Sequence, residues 1–173
     1  MKLGVLADTH DRLERTQRAV DILIAAGANT LIHCGDLTGW DIVEACSVLP
    51  FCFVFGNHDA DTVPDLRQAA DDFGATCLEW GGEVTLSGSR IAIVHGHLTS
   101  DLRPLLESSP EFLFSGHSHE ARDWQNGPTR RVNPGAIHRA REFSVALVDL
   151  ATAKVRFLPV PRQAALPPNS ARR

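Results

Sequence analysis

Phe51-Cys52-Phe53-Val54-Phe55-Gly56-Asn57-His58-Asp59 is an apolar run that stops at a glycine and turns at once to metal-capable side chains. A short apolar run bounded by a turn residue reads as a buried strand. The same pattern occurs twice upstream. Leu3 to Ala7 ends at Asp8, and Thr30-Leu31-Ile32-His33 leads to Gly35-Asp36. Between these runs, Leu13, Ala19, Val20, Leu23 and Ile24 recur at helical spacing, with Asp11 placed to cap the helix and Gly27 to end it. Asp41 to Leu49 reads as a second helix. The first third is thus a βαβαβ unit, with right-handed crossovers expected.

Downstream the pattern changes. Pro64 to Phe73 reads as a helix with proline in its first turn. Glu83 to Leu86 and Arg90 to Val94 flank Ser87-Gly88-Ser89, a hairpin signal. Leu102 to Ser108 is a short helix, and Phe112-Leu113-Phe114 a strand before Gly116. Asn126-Gly127-Pro128 marks a turn; Arg131-Val132, Phe143 to Leu150 and Val155 to Leu158 read as later strands. Early βαβ units followed by hairpins point to a mixed sheet or two packed sheets.

The 173 residues suffice for one domain with a sizeable core. We expect that domain over 1–158 and a disordered, basic tail over 159–173. A net charge of −4 disfavours general affinity for nucleic acid or anionic membrane. Phosphate esters stay open, since bound cations would reverse the local field. Cys34, Cys46, Cys52 and Cys77 have no C-x-x-C spacing, and neither a signal peptide nor a bilayer-spanning run is found. The expected location is a reducing cytoplasm.

Five polar clusters follow the apolar runs: Asp8-Thr9-His10, Gly35-Asp36, Gly56-Asn57-His58-Asp59, His95-Gly96-His97 and Gly116-His117-Ser118-His119. Carboxylate, amide and imidazole donors form the mixed set that suits Mn, Fe, Zn or Ni. In open α/β sheets, ligands gather at the carboxyl ends of strands, so these clusters belong at one edge of the structure. Each has a plainer reading alone. Asp8 suits a helix cap, Asn57 a turn, His33 the interior, and His138, Arg139 and Arg141 the surface. The recurrence of all five in order favours a metal site.

As a set, Asp-x-His, Gly-Asp, Gly-Asn-His-Asp, His and Gly-His-x-His resemble the calcineurin-like metallophosphoesterase superfamily. The short length and Asn133-Pro134-Gly135 resemble its small bacterial YfcE-like phosphodiesterase branch. The resemblance implies an α/β (α+β) fold, a four-layer αββα sandwich of two mixed sheets flanked by helices. It implies two divalent metal ions, manganese first, with Ni, Zn, Fe or Mg as the others. Asp8, His10 and His119 would hold one ion; Asn57, His95 and His117 the other; Asp36 would bridge them. Metal-bound hydroxide would then attack a phosphodiester, with a phosphomonoester or cyclic nucleotide as further substrates.

His58 is assigned as general acid or phosphate donor, and Asn57 and His97 as further substrate contacts. Many YfcE-like relatives carry cysteine at the position of His58, so this chain follows the wider superfamily there. Asp59 either orients His58 or fixes the turn. The alternative function is a non-catalytic protein-interaction scaffold on the same fold. The expected partner is a small phosphate ester, not a membrane or nucleic acid, and exposed hairpin edges leave room for a homo-oligomer.

Overall fold

The computed structural model describes residues 1–162. Strand β1 (Lys2–Leu6), β2 (Thr30–His33) and β3 (Phe51–Phe53) are parallel neighbours. Helices α1 (Leu13–Ala25) and α2 (Trp40–Cys46) connect them. Then follow a 3-10 segment (Asn57–Thr62), α3 (Val63–Phe73), β4 (Thr76–Cys77), β5 (Gly81–Leu86), β6 (Ser89–Val94) and α4 (Thr99–Glu107). The chain continues through β7 (Phe112–Phe114), β8 (Ala121–Asn126), β9 (Thr129–Pro134), β10 (Ser144–Asp149) and β11 (Lys154–Pro159). One mixed sheet has the order β11-β10-β1-β2-β3-β4, the other β5-β6-β7-β9-β8.

Three apolar layers separate four structural layers, because strand side chains alternate between faces. Leu6, Leu31, Phe51, Phe53 and Leu147 meet Ala19, Val20 and Leu23 of α1, Ile42 of α2 and Leu66 of α3. The opposite faces of the same strands offer Leu3, Val5, Ile32, Cys52 and Val148 to Ile91, Ile93, Phe112, Phe114 and Val132 of the second sheet. Beyond that sheet, Ala92, Val94 and Leu113 support Leu102, Leu105 and Leu106 of α4. This is the αββα sandwich expected.

Several boundaries differ. Asp11 does not cap α1: its amide donates to the Leu37 carbonyl (3.0 Å), its φ is +59°, and Arg12 takes the cap position. Helix α2 stops at Cys46 rather than Leu49, and Pro50 disfavours helical backbone at Leu49. Strand β8 had no sequence signal, because it is a polar edge strand in which only Trp124 is half-buried; pairing with β9 holds it. Strand β11 runs to Pro159, and Val160 packs into the core with its amide donated to Phe143. Ordered structure therefore passes the expected boundary at 158. The rest of the expected tail, 163–173, lies outside the described residues. Cys34, Cys46 and Cys52 are buried free thiols, and burial pushes Cys52 up to about 12. No helix among the described residues is long and apolar enough to cross a membrane.

Candidate metal centre

The loops after β1, β2, β3, β6 and β7 meet at one edge of the two sheets. Backbone bonds stitch them: Asp8 donates to Gly35, His10 to Asp36 and Gly116 to His95, each at 3.0 Å. The His117 amide donates to Asp8 Oδ2 (3.1 Å) and so ties the second sheet to the first. Asp8, His10, Asp36, His117 and His119 all have φ between +45° and +67°. A left-handed backbone is costly for residues with a side chain, about 1–3 kcal/mol each, and persists where surrounding structure enforces it. Here it turns each side chain off its strand end. Gly35 itself has φ +93°. A β-carbon on Gly56 would lie 2.5 Å from the Asp36 nitrogen and strike the Asp36 carboxylate.

The donors sit in a gradient of burial. Asp8, Asp36 and His95 form the floor, His10 and His119 are half-buried, and Asn57, His58 and His117 are exposed at the mouth. Asp36 Oδ2 lies 3.4 Å from His10 Nε2 and 3.5 Å from His95 Nε2, while Asp8 Oδ1 lies 3.3 Å from His119 Nε2. Atoms each about 2.1 Å from one cation stand about 3.0–3.4 Å apart, so this spacing fits ions between them. Asn57 Oδ1 is 3.1 Å from His95 Nε2, and the His117 ring centre is 5.1 Å from that of His95.

The tautomers agree. His95 Nδ1 donates to the Cys34 carbonyl (2.8 Å) and His119 Nδ1 to the Arg139 carbonyl (3.4 Å). With Nδ1 committed, Nε2 is the atom that exchanges a proton for a metal. Burial lowers the His95 pKa, but the close carboxylate of Asp36 outweighs it and raises the group overall; the neighbouring Asp8 carboxylate raises His119. Burial pushes the Asp36 carboxyl up, yet His95, the His58 amide and His10 hold it at about 2. Asp8 Oδ1 and His10 Nε2 are buried without a hydrogen-bond partner. Such atoms are costly unless something pairs with them, and a divalent cation satisfies both.

A buried scaffold holds the floor. The Asp59 carboxylate accepts the amides of Gly56 (2.7 Å), Asp36 (2.8 Å) and Thr38 (2.7 Å). Its part is therefore to fix the turn, the second of the two expected roles. Asp59→Ala leaves three amides unpaired and should cost about 3 kcal/mol or more. Thermal unfolding of chelated protein should show a Tm roughly 6–12 °C lower; an unchanged Tm would refute this assignment.

His33 is fully buried. Its Nδ1 accepts the Gly35 amide (3.2 Å), so its Nε2 donates to Thr9 Oγ1 (3.1 Å), which donates to the Asp36 carbonyl (3.2 Å). Burial, with the nearby His95, lowers its pKa to about 3. The unfolded chain takes this proton near pH 6.5, so stability is lost as pH falls from 6.5 toward 3. Between pH 7 and 5 the loss should be about 2 kcal/mol. Urea unfolding of chelated His33→Gln should lack that portion of the slope; an identical slope contradicts it.

Of the expected residues, Asp8, His10 and His119 form one group of donors, Asp8, Asp36 and His95 another, and His10, Asp36 and His58 a third. His97 stands to one side, its ring 5.4 Å from His95 and 6.1 Å from Trp80. Two neighbours of the site escaped the sequence reading. The His138 ring is 4.7 Å from that of His10, and burial with His10 and Arg12 lowers it to about 4. Buried Asn133 donates to Gly116 O (2.7 Å) and Ser118 Oγ (3.1 Å), holding the Gly116–His119 loop. The Asn133-Pro134-Gly135 sequence marked this loop without revealing what it touches.

The calcineurin-like phosphoesterase superfamily domain matches residues 1–153. The chain belongs to that superfamily. Its activity class is accordingly that of a metal-dependent phosphoesterase. Phosphodiesterase MJ0936 of Methanocaldococcus jannaschii is 26% identical over 138 residues, covering 78% of this chain and 83% of that protein. The solved structure of a novel archaeal phosphodiesterase has a TM-score of 0.82 at 23% identity, covering 92% of this chain and all of that one. The Escherichia coli phosphoesterase YfcE has a TM-score of 0.68 at 21% identity, covering 93% of this chain and all of its own. The superfamily and the small phosphodiesterase branch expected from the motifs are thus both found.

Proposed function

We propose that this phosphoesterase is a dinuclear phosphodiesterase. The observation that carries the proposal is the sharing of Asp36 Oδ2 between His10 and His95, beside the unpaired Asp8 Oδ1 and His10 Nε2. Asp8, His10 and His119 would hold one ion and Asn57, His95 and His117 the other, with Asp36 common to both. Manganese is the first candidate by ligand type. When bound, such ions would supply water acidified toward neutral pH and positive charge against the phosphoryl oxygens.

The chain's own groups do the rest. Asp36 would balance the charge of both ions from a buried position, and it anchors the His58 amide through Oδ1 (2.9 Å). His58 is exposed at the mouth, its ring 5.0 Å from that of His10. A histidine there can give a proton to the departing ester oxygen as the P–O bond breaks. Asn57, at the mouth, and His97, to one side of it beside His95, would serve as substrate contacts. The phosphodiesterase named among the relatives supports a diester over a monoester.

The test is hydrolysis of bis(p-nitrophenyl) phosphate by manganese-loaded protein. Chelation should abolish turnover, and Mn or Ni should restore it. Metal-replete protein that is inert on diesters and monoesters alike refutes the proposal.

A further inference from the structure

Arg12, Arg15 and Arg18 line an open groove of about 360 Å³, and Arg162, just beyond β11, belongs to the same groove. Residues three apart share a helix face, so three guanidinium groups stand in a row whose backbone spans roughly 9 Å. Asp11 and Glu14 also line the groove, two carboxylates against four guanidiniums. None of the four arginines forms an ion pair among the described residues. Like charges at this spacing weaken a helix, and neither carboxylate closes to an ion pair with the row.

The row is built in place. The guanidiniums of Arg15 and Arg162 both rest on the Phe143 ring, at 4.2 and 4.4 Å from its centre. Arg15 also donates to the Ile137 carbonyl, and Arg162 to those of Ala140 and Arg141. Stacking uses the guanidinium face and leaves in-plane N–H groups for anions. The Nε atoms of Arg15 and Arg18 are buried and have no hydrogen-bond partner. Burial, then the charges of Arg12, Arg18 and Arg162, lower the Arg15 pKa.

The groove joins the metal centre. Arg12 Nε donates to His138 Nδ1 (3.3 Å), and His138 lies against His10. We infer that the groove is a second anion subsite, which takes a phosphate remote from the one being cleaved. The substrate is then a phosphodiester bearing at least one further phosphate, of the kind found in a short phosphorylated nucleotide. This rests on the phosphodiesterase reading of the centre. The overall charge of −4 argues for a short ester rather than a long polymer, because the positive region is local.

The test compares two chromogenic diesters on manganese-loaded full-length protein: thymidine 5′-(p-nitrophenyl phosphate) and its 3′-phosphorylated form. kcat/KM should favour the phosphorylated ester by roughly 10–100-fold, the range for hydrogen bonds to charged groups. Arg18→Gln should cut that ratio by about 10-fold. Taking the ratio within each protein cancels losses of folding or metal. A wild-type ratio near one, or a ratio unmoved by both Arg18→Gln and Arg162→Gln, overturns the subsite. Binding to chelated protein gives a readout without turnover. Thymidine 3′,5′-bisphosphate should bind more tightly than thymidine 5′-monophosphate, and Arg18→Gln should erase the difference. That result supports the groove even if no ester is cleaved. Cleavage without preference removes the subsite and leaves the phosphodiesterase reading standing. If inorganic phosphate alone fills the groove and stimulates bis(p-nitrophenyl) phosphate hydrolysis equally, the anion is a free one and the substrate assignment falls.

Discussion

Asp36→Asn is expected to strip metal from both positions and to lower kcat/KM by more than about 100-fold. Losing a partner outside the ligand set typically costs roughly 10–100-fold, and Asp36 stands inside the proposed set. Asp36 is only 2% exposed, and its carboxylate lies 3.4 and 3.5 Å from two histidines that the proposal assigns to different ions. Asparagine has the same shape. It can still accept the His58 amide and leave the Asp59 bonds to the Asp36 backbone undisturbed. The variant should therefore fold while losing the shared negative charge. Elemental analysis of dialysed protein, with circular dichroism as the folding control, reads the result. Two ions retained per chain would mean that Asp36 bridges nothing.

His58→Ala should separate chemistry from metal binding. The His58 side chain is at the solvent-facing mouth, and its anchoring contact to Asp36 is made by its backbone amide, which alanine keeps. Metal content should stay close to wild type. A positioned general acid contributes roughly 10²–10⁴-fold, so kcat should fall within that range on a diester with a poor leaving group. The deficit should shrink with p-nitrophenolate, which leaves without a proton. An equal deficit for both leaving groups would point to phosphate binding in place of proton transfer. A metal loss as large as that of Asp36→Asn would make His58 a ligand. The two variants thus separate the carboxylate charge from the imidazole while both keep the His58 amide bond to residue 36.

The sequence and the tertiary structure divided the work according to the range of the forces. Apolar runs of three to five residues ending at Asp8, Asp36, Asn57, His95 and His117 were legible, because burial of a strand and the turn after it are local. So was the convergence of those ends, since parallel strands present their carboxyl ends together. The edge strand β8 was not, because its pairing with β9 rather than its own polarity holds it. Nor was Asp59's role, since its three amide donors come from two loops about twenty residues apart.

His138 and the groove arginines show the limit most clearly. Arg12, Arg15 and Arg18 carried no motif in the sequence, and Arg162 fell within the basic tail expected over 159–173. A chain with net charge −4 gave no hint of a concentrated positive site. Only folding brings Phe143, Arg162 and His138 against α1, more than a hundred residues away in sequence. Residue types and spacing by themselves determined the fold family and the inventory of donors. Tertiary packing decided which charges became neighbours, because Coulomb and hydrogen-bond energies depend on distance in space and not along the chain.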